Sequence, residues 1–313
     1  MNETEKPLVT FALFAYNQEK FIRDAVEGAL AQDYENLEII LSDDCSTDRT
    51  FEIMSEMISN YKGGHAVLLN RNVENCGLTA HFNKILKVAR GGIIVVAAGD
   101  DISLPNRSTL VVQVLKDNPY IMAVSFDDHV IDDSGRVIRF NKCDEEASNS
   151  IISGHEFFQG KSKALSGASR GFRKELYEKF GDLNENCPTE DTPYLVRTFL
   201  VGTACACPLP GIYYRRHGNN LSGEANLHKI NFQAIFDQYR KDIDFARDSN
   251  FATSKIIEMA NFWAFRNLRR RVIRGKVYNR SISFIEYLKY VLISEDYTFR
   301  EKIGILKKVW FST

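Results

Sequence analysis

At Asp43-Asp44, Asp100-Asp101 and Glu190-Asp191 this 313-residue chain sets carboxylates side by side where a predicted strand ends or a helix begins. Adjacent acids repel each other unless a cation or a hydrogen-bonding ligand compensates them. Asp100-Asp101 follow Gly99 and an apolar run, Ile93 to Ala98. A short β-branched run of this kind reads as a strand buried on both faces, which puts the acids at its carboxyl end, where open α/β sheets bind ligands. A divalent ion bound through oxygen relieves the repulsion. Magnesium sits on one or two carboxylates together with substrate phosphates, and manganese shares the preference for oxygen. The pair therefore marks a place where a metal would meet a diphosphate. Asp43-Asp44 close a second apolar run, Leu37 to Leu41, and Glu190-Asp191 open a helical stretch, where the dipole favours negative charge.

The elements that must position these acids follow from periodicity. Leu8–Ala15, Leu37–Leu41, Val67–Leu69 and Ile93–Ala98 read as strands. Between and after them lie helical patterns: Phe21, Ile22, Ala25, Val26, Ala29 and Leu30, then Arg49 to Asn60, Leu78 to Ala89, and Pro105 to Asp117. Asn17 and Asp48 are the expected caps of the first two. This alternation predicts an α/β fold built from βαβ units, with a mostly parallel central sheet and helices on both faces. Ile121–Phe126 is a further strand, and Asp132-Asp133-Ser134-Gly135 between apolar pairs is a hairpin signal. A polar loop, Asn141–Ser150, comes next, followed by helices starting near Ser153, over Arg173–Phe180, and over Thr189–Leu200. Ile212–Tyr214 is the last strand, and from about Ala225 the pattern is helical to the end.

Composition narrows the classes. Hydrophobic content of 44% and charged content of 26% describe a globular chain with a substantial core. No stretch has the length of a bilayer span and the first residues are polar, so the expected location is cytoplasmic. Six cysteines without a CxxC pair read as free thiols. The net charge of −1 is unevenly spread: the residues from Lys229 onward hold 17 basic and 9 acidic side chains. That asymmetry predicts two parts, a first domain over 1–224 and a basic, amphipathic helical region over 225–313. Its apolar stripes are expected mainly to pack on the first domain, with peripheral contact to a membrane surface on the cytoplasmic face as the alternative use. Acids interrupt the basic residues and no binding motif accompanies them, so nucleic acid is not an expected partner.

Five motifs in order give the chain a family resemblance: Phe14-Ala15-Tyr16-Asn17, Glu38 to Asp48, Gly99-Asp100-Asp101, Glu190-Asp191, and Arg216-His217-Gly218-Asn219-Asn220-Leu221-Ser222. Together they resemble the family 2 inverting glycosyltransferases, whose GT-A fold is a Rossmann-like sheet with helices on both faces. The resemblance spans about Leu8 to Ser222. It implies a metal-dependent hexosyltransferase acting on a nucleotide-diphosphate donor, a UDP-sugar first, and on a glycan or lipid-linked glycan acceptor in surface polysaccharide assembly. It implies donor-nucleotide contacts at Phe14, Ala15, Asp44 and Asp100, and metal contacts at Asp101 and His217 for Mg²⁺ or Mn²⁺. Arg215 and Arg216 would meet the diphosphate. Asp191 would be the general base, with Glu190 helping to position the acceptor. Relatives often carry a further aspartate where this chain has Ala98, which removes one acid near the metal.

Two other readings compete. A nucleotidyltransferase would need a glycine-rich, basic phosphate loop after the first strand, and Phe14 to Glu19 is neither. An inactive nucleotide-binding scaffold has no physical reason to keep Asp44, Asp100, Asp101 and Asp191 together.

Overall fold

The computed structural model describes residues 6–141, 148–218, 230–278, 281–297, 301–303 and 305. Strand β1 (Val9–Ala15) is buried along its whole length. It lies parallel between β2 (Leu37–Asp43) and β4 (Ile93–Ala98), with β3 (Ala66–Arg71) beyond β2. Side chains alternate across the sheet. Phe11 and Leu13 join the core under α1 (Ile22–Leu30), α2 (Thr50–Ser59) and α4 (Arg107–Asp117), while Ala12 and Phe14 face α3 (Leu78–Val88). Both faces are covered, which is why these strands read as continuous apolar runs. In the register, Ala15 stands beside Asp43 and Phe14 beside both Ser42 and Ala98. The ends of β1, β2 and β4 are thus level, and Asp43-Asp44 and Asp100-Asp101 emerge on one edge.

The second half of the sheet departs from the expected elements. Arg173, the expected start of a helix, instead ends a short strand, β9 (Gly171–Arg173), antiparallel between β4 and β6 (Ile121–Ile131); helix α6 begins at Glu175 and runs to Phe180. Gly171 allows Val111 to close over it, since a Cβ there would lie 2.6 Å from a Val111 methyl. Three residues are too few for periodicity to register. The last strand, β10 (Thr203–Arg215), is far longer than expected and continues through Pro208 and Pro210, with register shifts around Pro210 against its parallel partner β6. Proline demotes a strand in pattern reading, and here bulges accommodate it. Two-residue β5 (Ile102–Ser103) and β8 (Ser150–Ile152) pair with β10, and β7 (Val137–Arg139) closes the expected hairpin on β6.

Asn17 does not cap α1. It sits at φ 52°, its N–H donates to Ser46 Oγ, and its Oδ1 accepts from the Thr47 N–H. Asp48 accepts from the N–H of Thr50, but the N-cap of α2 is Arg49, which makes no side-chain cap bond. Helix α5 (Gly154–Phe158) starts on a capping box between Ser153 and Glu156.

Helix α7 (Asp191–Val201) joins the sheet to α8 (Phe232–Asp248) and α9 (Ser254–Tyr278). Phe158, Val196, Phe199, Ile235, Tyr239 and Trp263 share one core. Arg197 of α7 and Asp242 of α8 form a buried two-point pair at 2.9 and 3.0 Å. The first two C-terminal helices therefore pack on α5 and α7. The later α10 (Phe284–Ile293) buries Tyr287 and Val291 but leaves Ile285 66% and Ile293 83% exposed. Among the described residues no helix is long and apolar enough to cross a membrane. Cys45, Cys76, Cys187, Cys205 and Cys207 are free thiols, as expected. Cys143, most of the expected loop Asn141–Ser150, and the expected boundary at 224/225 lie outside the described residues.

Candidate active site

The carboxyl end of β4 is covered by the end of β10. Because β5 pairs with Ile212 and Tyr213, the residues that follow them reach the acids directly. The Arg215 N–H donates to Asp101 Oδ1 at 2.8 Å, and His217 Nε2 lies 3.0 Å from Asp100 Oδ2. Arg215 is buried, and its guanidinium is committed to bracing. It donates to the Asp100 carbonyl (3.0 Å) and to Asp24 of α1 (2.8 Å) while lying over the Phe21 ring. Phe21 also stacks on His217, with ring centres 4.8 Å apart. The sequence pattern counts Phe21 in the apolar face of α1; its ring is instead the platform under this loop. Arg216 is exposed. Asn219 to Ser222 of the last motif lie outside the described residues.

Asp101 is 5% exposed. Burial, reinforced by the charge of Asp100, drives its carboxyl well above the ordinary carboxylate range, against the pull of Arg215 and Arg107. An acid in that position is one that a cation would relieve. Two carboxylates and an imidazole form a donor set suited to Mn²⁺ or Mg²⁺. Among the described residues no three His, Cys, Asp or Glu side chains cluster closely enough to hold a metal unaided. An ion held by these residues would take its remaining ligands from phosphate and water.

Beside this edge, Asp44 organises the loop between β3 and α3. Its carboxylate accepts from Asn72 Nδ2 (2.7 Å), the Cys76 N–H and thiol (both 3.1 Å), and the Gly77 N–H (2.9 Å). Burial would raise its pKa, but these bonds outweigh burial and hold it low. Asp43 instead closes its own turn, accepting from the Ser46 N–H. The Phe14 ring points into the core, stacked on Phe82 at 5.4 Å and edge-on to His81. The carbonyls of Phe14 and Ala15 accept from the N–H groups of Gly99 and Asp44, tying the three strand ends together.

Asp191 is the first residue of α7, and Arg170 holds it in place. One guanidinium nitrogen of Arg170, a residue 3% exposed, lies 2.7 Å from Asp191 Oδ1 and 2.8 Å from the Asp191 carbonyl oxygen. Gly167 lies flat against the same carboxylate: a Cβ there would stand 2.6 Å from Asp191 Cγ. Only glycine leaves that space. Glu190 keeps some exposure, yet its Oε2 is enclosed without a partner. Burial first, and then the charge of Asp191, push its carboxyl up to about 7.

Arg107 connects the two sides. Wholly buried in α4, it donates to the carbonyls of Val96 in β4 (2.5 Å), Ala168 (3.1 Å) and Arg170 (3.2 Å), and to Ser103 of β5. Burial lowers its pKa to about 9 against the opposing charge of Asp101, so it stays cationic at neutral pH. One guanidinium thus ties the strand carrying Asp100-Asp101 to the loop on which Asp191 rests. The sequence pattern singles out neither Arg170 nor Arg107, although Arg170 directly follows the small-residue run Gly167-Ala168-Ser169. That adjacency is the one available signal.

A level edge of parallel strands with paired acids, crossed by a basic loop, defines an α/β protein of the GT-A type. The chain belongs to glycosyl transferase family 2, whose family model matches residues 10–181. It is 33% identical over 129 residues to a putative glycosyltransferase, EpsE, of Bacillus subtilis, covering 41% of this chain and 46% of that one. It is 36% identical over 94 residues to WfaP of Escherichia coli, named a UDP-Glc:α-D-GlcNAc-diphosphoundecaprenol β-1,3-glucosyltransferase, covering 30% of this chain and 36% of that one. Both matches span less than half of the relative. In fold it is similar to the mannosyltransferase PcManGT of Pyrobaculum calidifontis, solved with GDP-Man and Mn²⁺: TM-score 0.56, 18% identity, 90% of this chain and 77% of that one.

Proposed function

We propose that this chain transfers a sugar, with inversion, from a nucleotide-diphosphate donor to a glycan or lipid-linked glycan acceptor in the assembly of a cell-surface polysaccharide. The observation that carries the reading is the pairing of Asp100-Asp101 with the Arg215–His217 loop on the edge that Arg107 ties to the Asp191 loop. UDP is the nucleotide we assign, since WfaP is named for UDP-Glc and this chain shares 36% identity with it over 94 residues.

In this account Asp44 receives the base, exchanging its bond to the Cys76 thiol, the weakest donor it now accepts, for one from the base N–H. Phe14 and Ala15 form the floor beneath. Asp101 and His217, with Asp100 beside them, would hold a Mn²⁺ or Mg²⁺ ion, which when bound would supply positive charge against the departing diphosphate. Arg216 adds positive charge there, and Arg215 keeps the loop in place. Asp191 takes the proton of the acceptor hydroxyl as that oxygen attacks the anomeric carbon, and the bond to the diphosphate breaks on the opposite face. Glu190, next to it, positions the acceptor.

We further assign residues 1–224 as the transferase domain and 225–313 as an accessory region whose α10 face touches the membrane from the cytoplasmic side. Ile293→Asp in the full chain should lower binding to vesicles containing anionic lipid; undiminished binding would remove this assignment.

Calorimetric titration of UDP with Mn²⁺, with Mg²⁺ and with EDTA tests the donor site. Metal-dependent binding that is lost in Asp101→Ala is the expected result. Equal binding with EDTA, or none with UDP, GDP, CDP or dTDP, would overturn it.

A further inference from the structure

A cavity of about 360 Å³ lies against the middle of β6, and none of the residues assigned above line it. Its walls include Phe126, Asp127 and Asp128 of β6, Asn141 beyond the hairpin, and Leu165-Ser166 of the loop that leads into Gly167. That loop is the one supporting Asp191. Ser169 fastens it to β6 through both polar atoms of Phe126, accepting from the N–H (3.0 Å) and donating to the carbonyl (2.6 Å). The Leu165 carbonyl meets the guanidinium of Arg170, whose other nitrogen holds Asp191. The cavity and the proposed base therefore share a wall.

The polar groups in the cavity hold one another in place. Asn141 Nδ2 donates to Asp127 Oδ2 at 2.9 Å, and Asp128 pairs with Arg139. Asn141 is itself fixed: its N–H donates to His129 Nδ1 (3.2 Å), and the neighbouring Phe140 ring stacks on His129 at 4.2 Å. Each carboxylate has a second oxygen, and Asn141 a second N–H and a carbonyl, to offer a ligand. Phe126, Leu165, Ala164 and Ala206 supply apolar wall. Alternating donors and acceptors beside an apolar surface match a pyranose, with its vicinal hydroxyls and C–H face. A diphosphate would meet two repelling acids.

We propose that this cavity seats a hexopyranose unit of the acceptor, with Asp127, Asp128 and Asn141 reading its hydroxyls. The inference rests on the transferase reading, which places the donor phosphates at Asp100-Asp101 and leaves the base side for the acceptor.

Saturation-transfer NMR with methyl β-D-glucopyranoside and methyl N-acetyl-β-D-glucosaminide as probes, on the full chain loaded with UDP and Mg²⁺, tests it. Ring-proton saturation is expected in the wild type. In Asp127→Ala and in Asn141→Ala, apparent glycoside affinity should fall about tenfold, the loss of one hydrogen bond to a charged or fixed partner. UDP affinity and melting temperature should hold. Equal saturation in wild type and variants, or none with a wild type that binds UDP, would overturn the proposal. So would variants that weaken UDP-glucose relative to UDP yet leave the glycosides untouched, because the cavity would then hold the donor's sugar. A wild type that fails to bind UDP in parallel calorimetry would overturn the donor reading and this proposal with it.

Discussion

At the scale of single residues, the acids divide by how their environment treats the charge. Asp44 is held low by hydrogen bonds, while Asp101 and Glu190 are pushed up by burial and a neighbouring acid. For Glu190 the folded value is about 7 against an ordinary 4.5, so the folded state keeps a proton that the unfolded chain releases. Its effect is absent below pH 4.5 and grows to a destabilisation of at most about 3 kcal/mol above pH 7. Glu190→Gln should therefore raise the urea midpoint at pH 8 and leave it unchanged at pH 4.5. His81 acts in the opposite sense. Buried against Ser42, its imidazole is lowered to about 4, so stability present above pH 6.5 is lost as pH falls through that range. Acids at strand ends and helix starts were legible in the sequence because a run of local residues creates them. The pKa of each was not, because the groups that set it arrive from elsewhere in the chain.

At the scale of elements, the parallel half of the sheet was readable nearly to the residue. Ile93–Ala98 matched because a strand buried on both faces writes its own pattern. Strands β5 and β9 did not, since two or three residues carry no period, and β10 hid behind Pro208 and Pro210. These are the strands that bring Arg215 and His217 over the acids and fix the Arg170 loop. The missing contacts are long-range: Arg170 reaches Asp191 across 21 residues and Arg107 reaches the Arg170 carbonyl across 63. Helix α7 carries Asp191 at its start and Arg197 near its middle, where Asp242 of α8 holds it. Removing one partner of a buried pair strands the other charge, at a cost of about 3–5 kcal/mol. Asp242→Ala should lose that much stability in denaturant unfolding. A loss below 1 kcal/mol would mean that α8 does not anchor the helix bearing Asp191.

At the scale of the whole molecule, one buried guanidinium, Arg107, joins the strand edge that would bind donor and metal to the loop that would present the base. The tail helices α8 and α9 brace the base side through the shared core around Trp263. Joined in this way, the two sides would work on one reaction. UDP release from UDP-glucose at saturating donor, with methyl N-acetyl-β-D-glucosaminide added as the acceptor, is the measurement to make on the wild type and Asp191→Asn. Turnover is expected in the wild type and a loss of about a hundredfold or more in the variant, the usual contribution of a general base, with UDP affinity retained. Turnover by Asp191→Asn within a few-fold of the wild type would contradict it.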